Sequence, residues 1–302
     1  MDAEERAKWL EAGRVAATAR EEAKRLVRPG ATYLEVAEAV EARIRELGAA
    51  PAFPVNVSVN EDAAHDTPAH ADARVFGPDD VVKVDIGAQV DGCIGDTAAT
   101  VCLGERGRAI DAAAREALEQ ALKTVRAGLA VGEIGGAIER TIRAHGFKPI
   151  ANLTGHSIER YTQHAGLTIP NIAAGNGVLE EGQVVAIEPF ATDGAGYIHE
   201  SREGGIYHFR RNSPQRDPNA RAALKVITAE HADLPFAARW LAGAVPPARL
   251  PHAFKLLTRA GVLHAYGVLR EAGDGLVAQA EHTVIVEKDG CTVTTRAPDA
   301  GG

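Results

Sequence analysis

Cysteine is scarce in this chain. Cys93, Cys102 and Cys291 are the only three, an odd number with no Cys-x-x-Cys spacing. That argues against a disulfide scaffold or a thiolate zinc site and for a reduced, cytoplasmic compartment. Cys93 and Cys102 sit inside strand-like runs and read as small apolar residues. No apolar run approaches the roughly 20 residues that span a bilayer. The N-terminus, MDAEERAKWLEAG, is charged from its second residue and lacks the apolar core of a secretory signal. Positive charge is in deficit, 33 Lys and Arg against 41 Asp and Glu for a net charge of −8. A nucleic-acid partner is therefore not expected, nor is a membrane. The 302 residues are 45% hydrophobic and 25% charged, ordinary for a globular chain with one large core, or one core and an insert.

The most informative stretch is VVKVDIGAQVDGCIGDTAATV, from Val81 to Val101. Two β-branched apolar runs flank Asp91-Gly92, a pair that favours the two-residue turn of a hairpin. Such a turn sets Asp85 opposite Ala98 and Asp96 opposite Gly87, so the two aspartates share one face as diagonal neighbours. Taken alone, one aspartate could belong to the turn and the other to a solvated face. Two carboxylates in an otherwise apolar hairpin repel each other unless a cation lies between them.

Elsewhere the chain reads as alternating helices and strands. Residues 3–27 form a helix ending before Pro29-Gly30, and Thr32-x-x-Glu35 is a capping box for a second helix that stops at Gly48. FPVNVSV (53–59) alternates as a strand, and the polar loop NEDAAHDTPAHAD carries His65. Two more helices follow, at 106–125 and at about 132–145. The stretch Val27–Gly48 aligns without gaps on Val125–Gly146, with 9 of 22 positions identical at an offset of 98. This is read as an internal duplication. It pairs His65 with His164 in loops, Asp85 (VVKVDIG) with Glu188 (VVAIEPF), and Asp96 (DTAATV) with Glu281 (EHTVIV) across a long insertion.

That insertion, residues 208–272, loses the strand pattern and turns rich in Ala, Leu and Arg. Two short helices begun by proline are expected in it, PNARAALKVITAEH and PHAFKLLTRAGVL. Its Arg210, Arg211, Arg216 and Arg221 lie beside Asp217 and read as a solvated charge cluster. Residues 1–207 and 273–302 form the expected main domain. His156, in NLTGHSIERYTQHAG, has no counterpart in the first half and is a fifth candidate ligand. Singly, Glu188 could end a strand, Glu281 could be an edge charge, and either His156 or His164 could be an ordinary loop histidine. Together, Asp85, Asp96, His156, Glu188 and Glu281 make an oxygen-rich set with one imidazole, suited to a bridged pair of Mn, Fe, Co or Zn ions. His282, next to Glu281, is expected to point to the opposite face.

At these residues the sequence resembles methionine aminopeptidases of type 2 in their short archaeal form. The marks are RPG, FP followed by AAHDTP, VDIGAQVDGCIGDTA, LTGHSIERYTQHAG, AIEPFA and AEHTVIV, spread over nearly the whole chain. The resemblance implies an α+β pita-bread fold, two pseudo-symmetric halves around a dinuclear metal site, with a winged-helix-like insert that separates type 2 from type 1. It makes Asp85, Asp96, His156, Glu188 and Glu281 the ligands of two divalent ions, with Asp96 and Glu281 bridging. Glu188 would also be the general base and acid, His164 would support the scissile carbonyl, and His65 would bond the peptide near its second residue. Phe53 and Phe190 would wall the methionine pocket.

The implied function is removal of the initiator methionine from nascent chains when the second residue is small, by a monomer with at most a transient ribosome contact. The chain's own Met1-Asp2 start should then stay unprocessed. The charged N-terminal extension of eukaryotic relatives is absent, so any ribosome contact it makes there does not carry over. A prolidase or X-Pro aminopeptidase shares fold and ligand types, but such relatives usually carry a further N-terminal domain where only about 50 residues precede the core here. Non-catalytic pita-bread proteins that bind RNA or protein have lost ligands that all remain in this sequence.

Overall fold

The computed structural model describes residues 1–297. Helices α1 (Ala3–Leu26) and α2 (Tyr33–Glu46) cover the first half, and α3 (Arg108–Leu122) and α4 (Val131–Ala144) cover the second. The repeat is visible in the backbone. Helices α2 and α4 are each 14 residues long, and both their first and last residues are 98 positions apart. Gly30 and Gly128 precede them at φ +83° and +80°, and Gly48 and Gly146 follow them at +85° and +82°. Only glycine adopts this left-handed backbone without strain, which explains why the repeat keeps it at both ends. The copies differ in their caps. Thr32 and Glu35 form the expected capping box, whereas Ala130 caps α4 without a side chain.

Under α1 and α2 lies a sheet of Ala50–Pro51, Val81–Val90, Asn56–Val59 and Cys93–Cys102. The hairpin has the register that its turn dictates, with Asp85 opposite Ala98 and Gly87 opposite Asp96. Asp91 and Gly92 both have positive φ (50° and 84°), as a turn whose twist matches the strands requires. The second half builds a five-stranded sheet from Gly290–Val293, His282–Glu287, Val184–Ile187, Thr154–Ile158 and Thr168–Pro170. Each half has its own apolar core: Val36, Val40, Ile44, Val84 and Ile86 in the first, Ile110, Ile134, Ile138, Val185 and Val284 in the second. A third cluster, with Trp9, Phe53, Ile94, Ile158 and Ile285, joins them.

Two expectations need correction. The insert is not all helical: α5 (Pro218–Glu230) and α6 (Leu250–Arg259) are followed by a strand, Leu263–Glu271. This strand pairs with Ile198–Phe209, itself paired with Phe236–Ala237. The polar stretch read as a loop also contains a strand, Asp62–Ala64, which completes this sheet against Leu269 and Arg270. Both strands are stabilised by partners distant in sequence, so local pattern does not reveal them. Helices α5 and α6 pack on one face of this sheet around Tyr207, Phe236 and Leu263. Among the described residues no helix is long and apolar enough to cross a membrane.

Candidate metal centre

The strands of the two halves meet where threonines clasp the backbone. The Asp96 amide donates to Thr283 Oγ1 (2.8 Å), and that hydroxyl donates back to the Asp96 carbonyl (2.7 Å). Thr97 Oγ1 donates to the Glu281 carbonyl (2.8 Å), and Thr100 Oγ1 to the carbonyl of Gln279 (2.8 Å). The first-half strand bearing Asp96 is thereby held against the second-half segment bearing Glu281. Asp96 and Glu281 are only 1% and 2% exposed. Asp85 and Glu188 are half-buried, from the middle of the hairpin's first strand and just after Val184–Ile187.

One cavity of about 340 Å³ is lined by Asp85, Asp96, His156, Glu188 and Glu281 together with His65, His164, Phe53 and Phe190. All nine candidate residues therefore share one space. The tightest grouping is Asp96, His156 and Glu281, with one ligand atom from each within 4.8 Å of the others. His156 Nε2 lies 3.6 Å from Asp96 Oδ2 and 3.7 Å from Glu188 Oε1. Its Nδ1 points at the Ser157 carbonyl (3.4 Å), which favours the tautomer that leaves the Nε2 lone pair facing the carboxylates. The His164 ring stands edge-on to His156 with centroids 4.3 Å apart. His65 packs similarly against Tyr266 at 5.5 Å. His282 instead bonds Thr295 Oγ1 at 2.8 Å, away from the cavity.

The electrostatics are those of an anion cluster that requires a cation. Burial, and then the charge of neighbouring carboxylates, holds Asp85, Glu188 and Glu281 well above the usual carboxylate range. Burial pushes Asp96 up to about 7 and His156 down to about 3. Asp85 Oδ1 is buried with no hydrogen-bond partner. An unsatisfied buried carboxylate oxygen among three further carboxylates and a neutral imidazole is the donor set of hard or borderline divalent ions. The residues present therefore fit a divalent-metal centre.

Sequence reading missed several groups here. Gln279 Nε2 donates weakly to both Glu188 Oε2 and Glu281 Oε2 (each 3.4 Å), and Gln163 Nε2 donates to Asp96 Oδ2 (3.2 Å). Gln279 stands two residues before Glu281, a period-2 signal that could have placed it on the same side. Ile206, Tyr266 and Leu269, from the insert's sheet, also line the cavity. Nothing in their local sequence marks them.

Buried carboxylates from two duplicated halves, converging with one imidazole in a cavity, define a metal-dependent hydrolase. The chain belongs to metallopeptidase family M24, whose model matches residues 7–288. It is 51% identical over 290 residues to a methionine aminopeptidase of Pyrococcus horikoshii, covering 95% of this chain and 98% of that one. It is 52% identical over 297 residues to one from Archaeoglobus fulgidus, covering 98% and 100%. Among solved structures, the Thermotoga maritima methionine aminopeptidase superposes with a TM-score of 0.73 at 24% identity, over 98% of each chain. A thermophilic Arx1 gives 0.86 at 19% identity, over 100% of this chain and 93% of that one. A Pyrococcus furiosus prolidase gives 0.62 at 19%, over 98% and 65%. At these identities the superpositions establish the fold, the α+β pita-bread arrangement.

Proposed function

We propose that this chain is a methionine aminopeptidase, hydrolysing the peptide bond that follows an N-terminal methionine. The observation that carries this reading is identity of about half the residues, over nearly the full length of both chains, to enzymes of that name. The site chemistry agrees with it. Asp85, Asp96, His156, Glu188 and Glu281 would hold two divalent ions, Mn, Fe, Co or Zn. When bound, such ions acidify a shared water and polarise a carbonyl.

The rest falls to the chain's own side chains. Glu188, at the cavity wall, takes the proton of the attacking water and passes it to the departing amine. His164 donates an imidazole N–H to the oxygen that gains charge as the carbonyl carbon becomes tetrahedral. His65, kept neutral by burial, which lowers its pKa to about 4, offers a hydrogen bond to the peptide near its second residue. Phe53 and Phe190 are 3% and 1% exposed and form apolar walls that fit an unbranched thioether side chain. The Phe53 ring lies directly against Gly87, where an added Cβ would come within 2.2 Å of it, so the backbone fixes this wall. Crowding near His65 restricts the second residue to small side chains. The substrates are N-terminal methionyl peptides and nascent chains, met by a monomer in the cytoplasm.

The test is product mass spectrometry on Met-Ala-Ser and Ala-Pro-Ser peptides after reconstitution with Mn, Fe or Co, with Glu188→Ala alongside. Methionine release from the first peptide alone, absent in the variant, is expected. Cleavage of the Ala-Pro bond would move the chain to the proline-specific branch. No cleavage with any metal would overturn the peptidase reading.

A further inference from the structure

Charge is distributed very unevenly along this acidic chain. Residues 208–263 hold nine Lys and Arg against three Asp and Glu, a formal +6 within a chain of net charge −8. Of the nine cations, only Arg239 forms an ion pair among the described residues, with Glu41 in the interior. The other eight, Arg210, Arg211, Arg216, Arg221, Lys225, Arg249, Lys255 and Arg259, are all exposed. Arg210, Arg211, Arg216 and Arg221 are solvent-exposed as the sequence suggests, and Asp217 forms no ion pair with them among the described residues. Its carboxylate caps α5, accepting from the Ala220 amide at 2.8 Å. Glu230 and Asp233, the two remaining acids, lie beyond the end of the helical face, at and after the last residue of α5.

The fold gathers these cations on one layer. Helix α5 buries Ala220, Ala223, Leu224 and Ile227, and α6 buries Leu250, Ala253, Phe254 and Leu257. On a 3.6-residue helix that leaves Arg221 and Lys225 on the outward face of α5, and Lys255 and Arg259 on that of α6. The two helices pack on each other and on the Tyr207 face of the sheet. Two neighbouring groups extend the layer at its edges. Arg211 donates to the carbonyls of Ala260 and Gly261 just past α6, and Arg221 to the carbonyls of Gln215 and Arg216 just before α5. The opposite face of the same sheet presents Ile206 and Tyr266 to the active-site cavity. The cationic layer therefore faces away from the cleft.

We infer that this outer face of the insert binds the phosphate backbone of RNA. Unpaired, exposed Lys and Arg on adjoining helices form the electrostatic footprint of a polyanion site, and the acidity of the rest of the chain orients the encounter to this face. An anionic membrane is the less suited partner. The exposed large hydrophobics among the described residues are Met1, Leu10, Val75, Tyr161, Val178 and Tyr197, and none lies in the insert to enter a bilayer. The inference is independent of the peptidase reading, since it uses no residue of the cavity.

The experiment is fluorescence anisotropy of the full-length chain on a labelled RNA hairpin of about 20 base pairs, across a salt series. It is run alongside flotation with phosphatidylserine/phosphatidylcholine vesicles. With about four phosphates contacted, affinity for the duplex should fall by roughly 150-fold between 50 and 200 mM salt. The quadruple variant Arg221→Glu, Lys225→Glu, Lys255→Glu, Arg259→Glu should lose at least about tenfold in affinity. The same positions changed to Gln test the site should charge reversal impair folding, and should also weaken binding. A control reversing Arg28, Lys123, Arg140 and Lys288 on the main domain should bind like the parent. Release of methionine from Met-Ala-Ser should be unchanged in the insert variants. Absent RNA binding, an equal loss in the control, or binding to vesicles alone would each overturn the assignment.

Discussion

Glu41 and Arg239, 198 positions apart, form a fully buried ion pair that fastens α2 of the first half to the insert. Trp240 Nε1 donates to the other Glu41 oxygen at 2.8 Å, and the Val55 amide donates to the first at 3.2 Å. Arg239 also donates to Thr67 Oγ1 (2.7 Å) and the Pro68 carbonyl (3.1 Å), two and three residues after His65. The pair thus links the insert to the strand end that presents His65. Burial raises the pKa of Glu41 and lowers that of Arg239, so the desolvation of each charge is offset by the other.

Removing one member of this pair should be costly. Glu41→Ala or Arg239→Ala is expected to destabilise by about 3–5 kcal/mol, because the remaining charge stays buried and alone. The double change Glu41→Ala with Arg239→Ala should cost clearly less than the sum of the single changes. Urea unfolding of the four proteins measures the coupling, and additive losses would refute it.

Gly92 should act on the distant loop that carries His164. A Cβ at Gly92 would lie 2.4 Å from the Tyr161 ring, and Tyr161 N donates to the Gly92 carbonyl at 2.9 Å. Arg160 bonds the Asp91 carbonyl, also pinning residues 159–165 to the hairpin turn. Gly92→Ala should lower kcat/KM on Met-Ala-Ser and destabilise by about 1 kcal/mol for the left-handed backbone. Adding Tyr161→Gly should recover part of the stability by clearing the clash. If Gly92→Ala alone leaves both quantities unchanged, the loop is not held from this turn.

Glu188→Gln tests the proton-handling role without changing the shape of the site. A drop in kcat of about 10²–10⁴-fold is expected, the usual size of a general acid–base contribution. Circular dichroism and the melting temperature should show an intact fold. A loss below tenfold would move that role to another group.

Stripping the metal should expose the repulsion within the carboxylate cluster. Asp96 has its pKa raised to about 7, above the 3.8 of an unfolded aspartate. Such a group favours folding fully below about pH 4, and its contribution is lost as pH rises through about 7. In chelator-treated protein, Asp96→Asn should therefore be more stable relative to the parent at pH 8 than at pH 5. Saturating Mn should reverse that ranking at pH 8, because the parent binds the ion and gains RT ln(1 + [L]/Kd). Differential scanning fluorimetry at the two pH values, with and without metal, reads both effects. An unchanged difference would mean that the cluster is not strained without a cation.

The legible part of the site is the part encoded within a few residues. Asp91-Gly92 fixes a two-residue turn, and period-2 alternation then places Asp85 and Asp96 on one face without further information. The duplicated helix carries its own start and stop, so its 98-residue offset survives in the backbone at both ends. The same duplication pointed to His164 from His65, 99 positions on, and to Glu188 from Asp85, 103 positions on. Phe53 was legible only through the family resemblance. Its packing on Gly87 is a contact between segments 34 positions apart.

By itself, then, the sequence determined the hairpin, the repeat, the charge of the insert and the residue types that gather in the cavity. Tertiary structure alone decided that Asp62–Ala64 is a strand, because its partners Leu269 and Arg270 lie some 200 residues away. It likewise brought Ile206 and Tyr266 to the cavity wall and buried Glu41 against Arg239. The physical reason is common to these cases. Turns, caps and alternation are settled by steric and hydrogen-bond terms among near neighbours, whereas edge-strand pairing, buried ion pairs and cavity walls take their free energy from partners supplied by the closed fold.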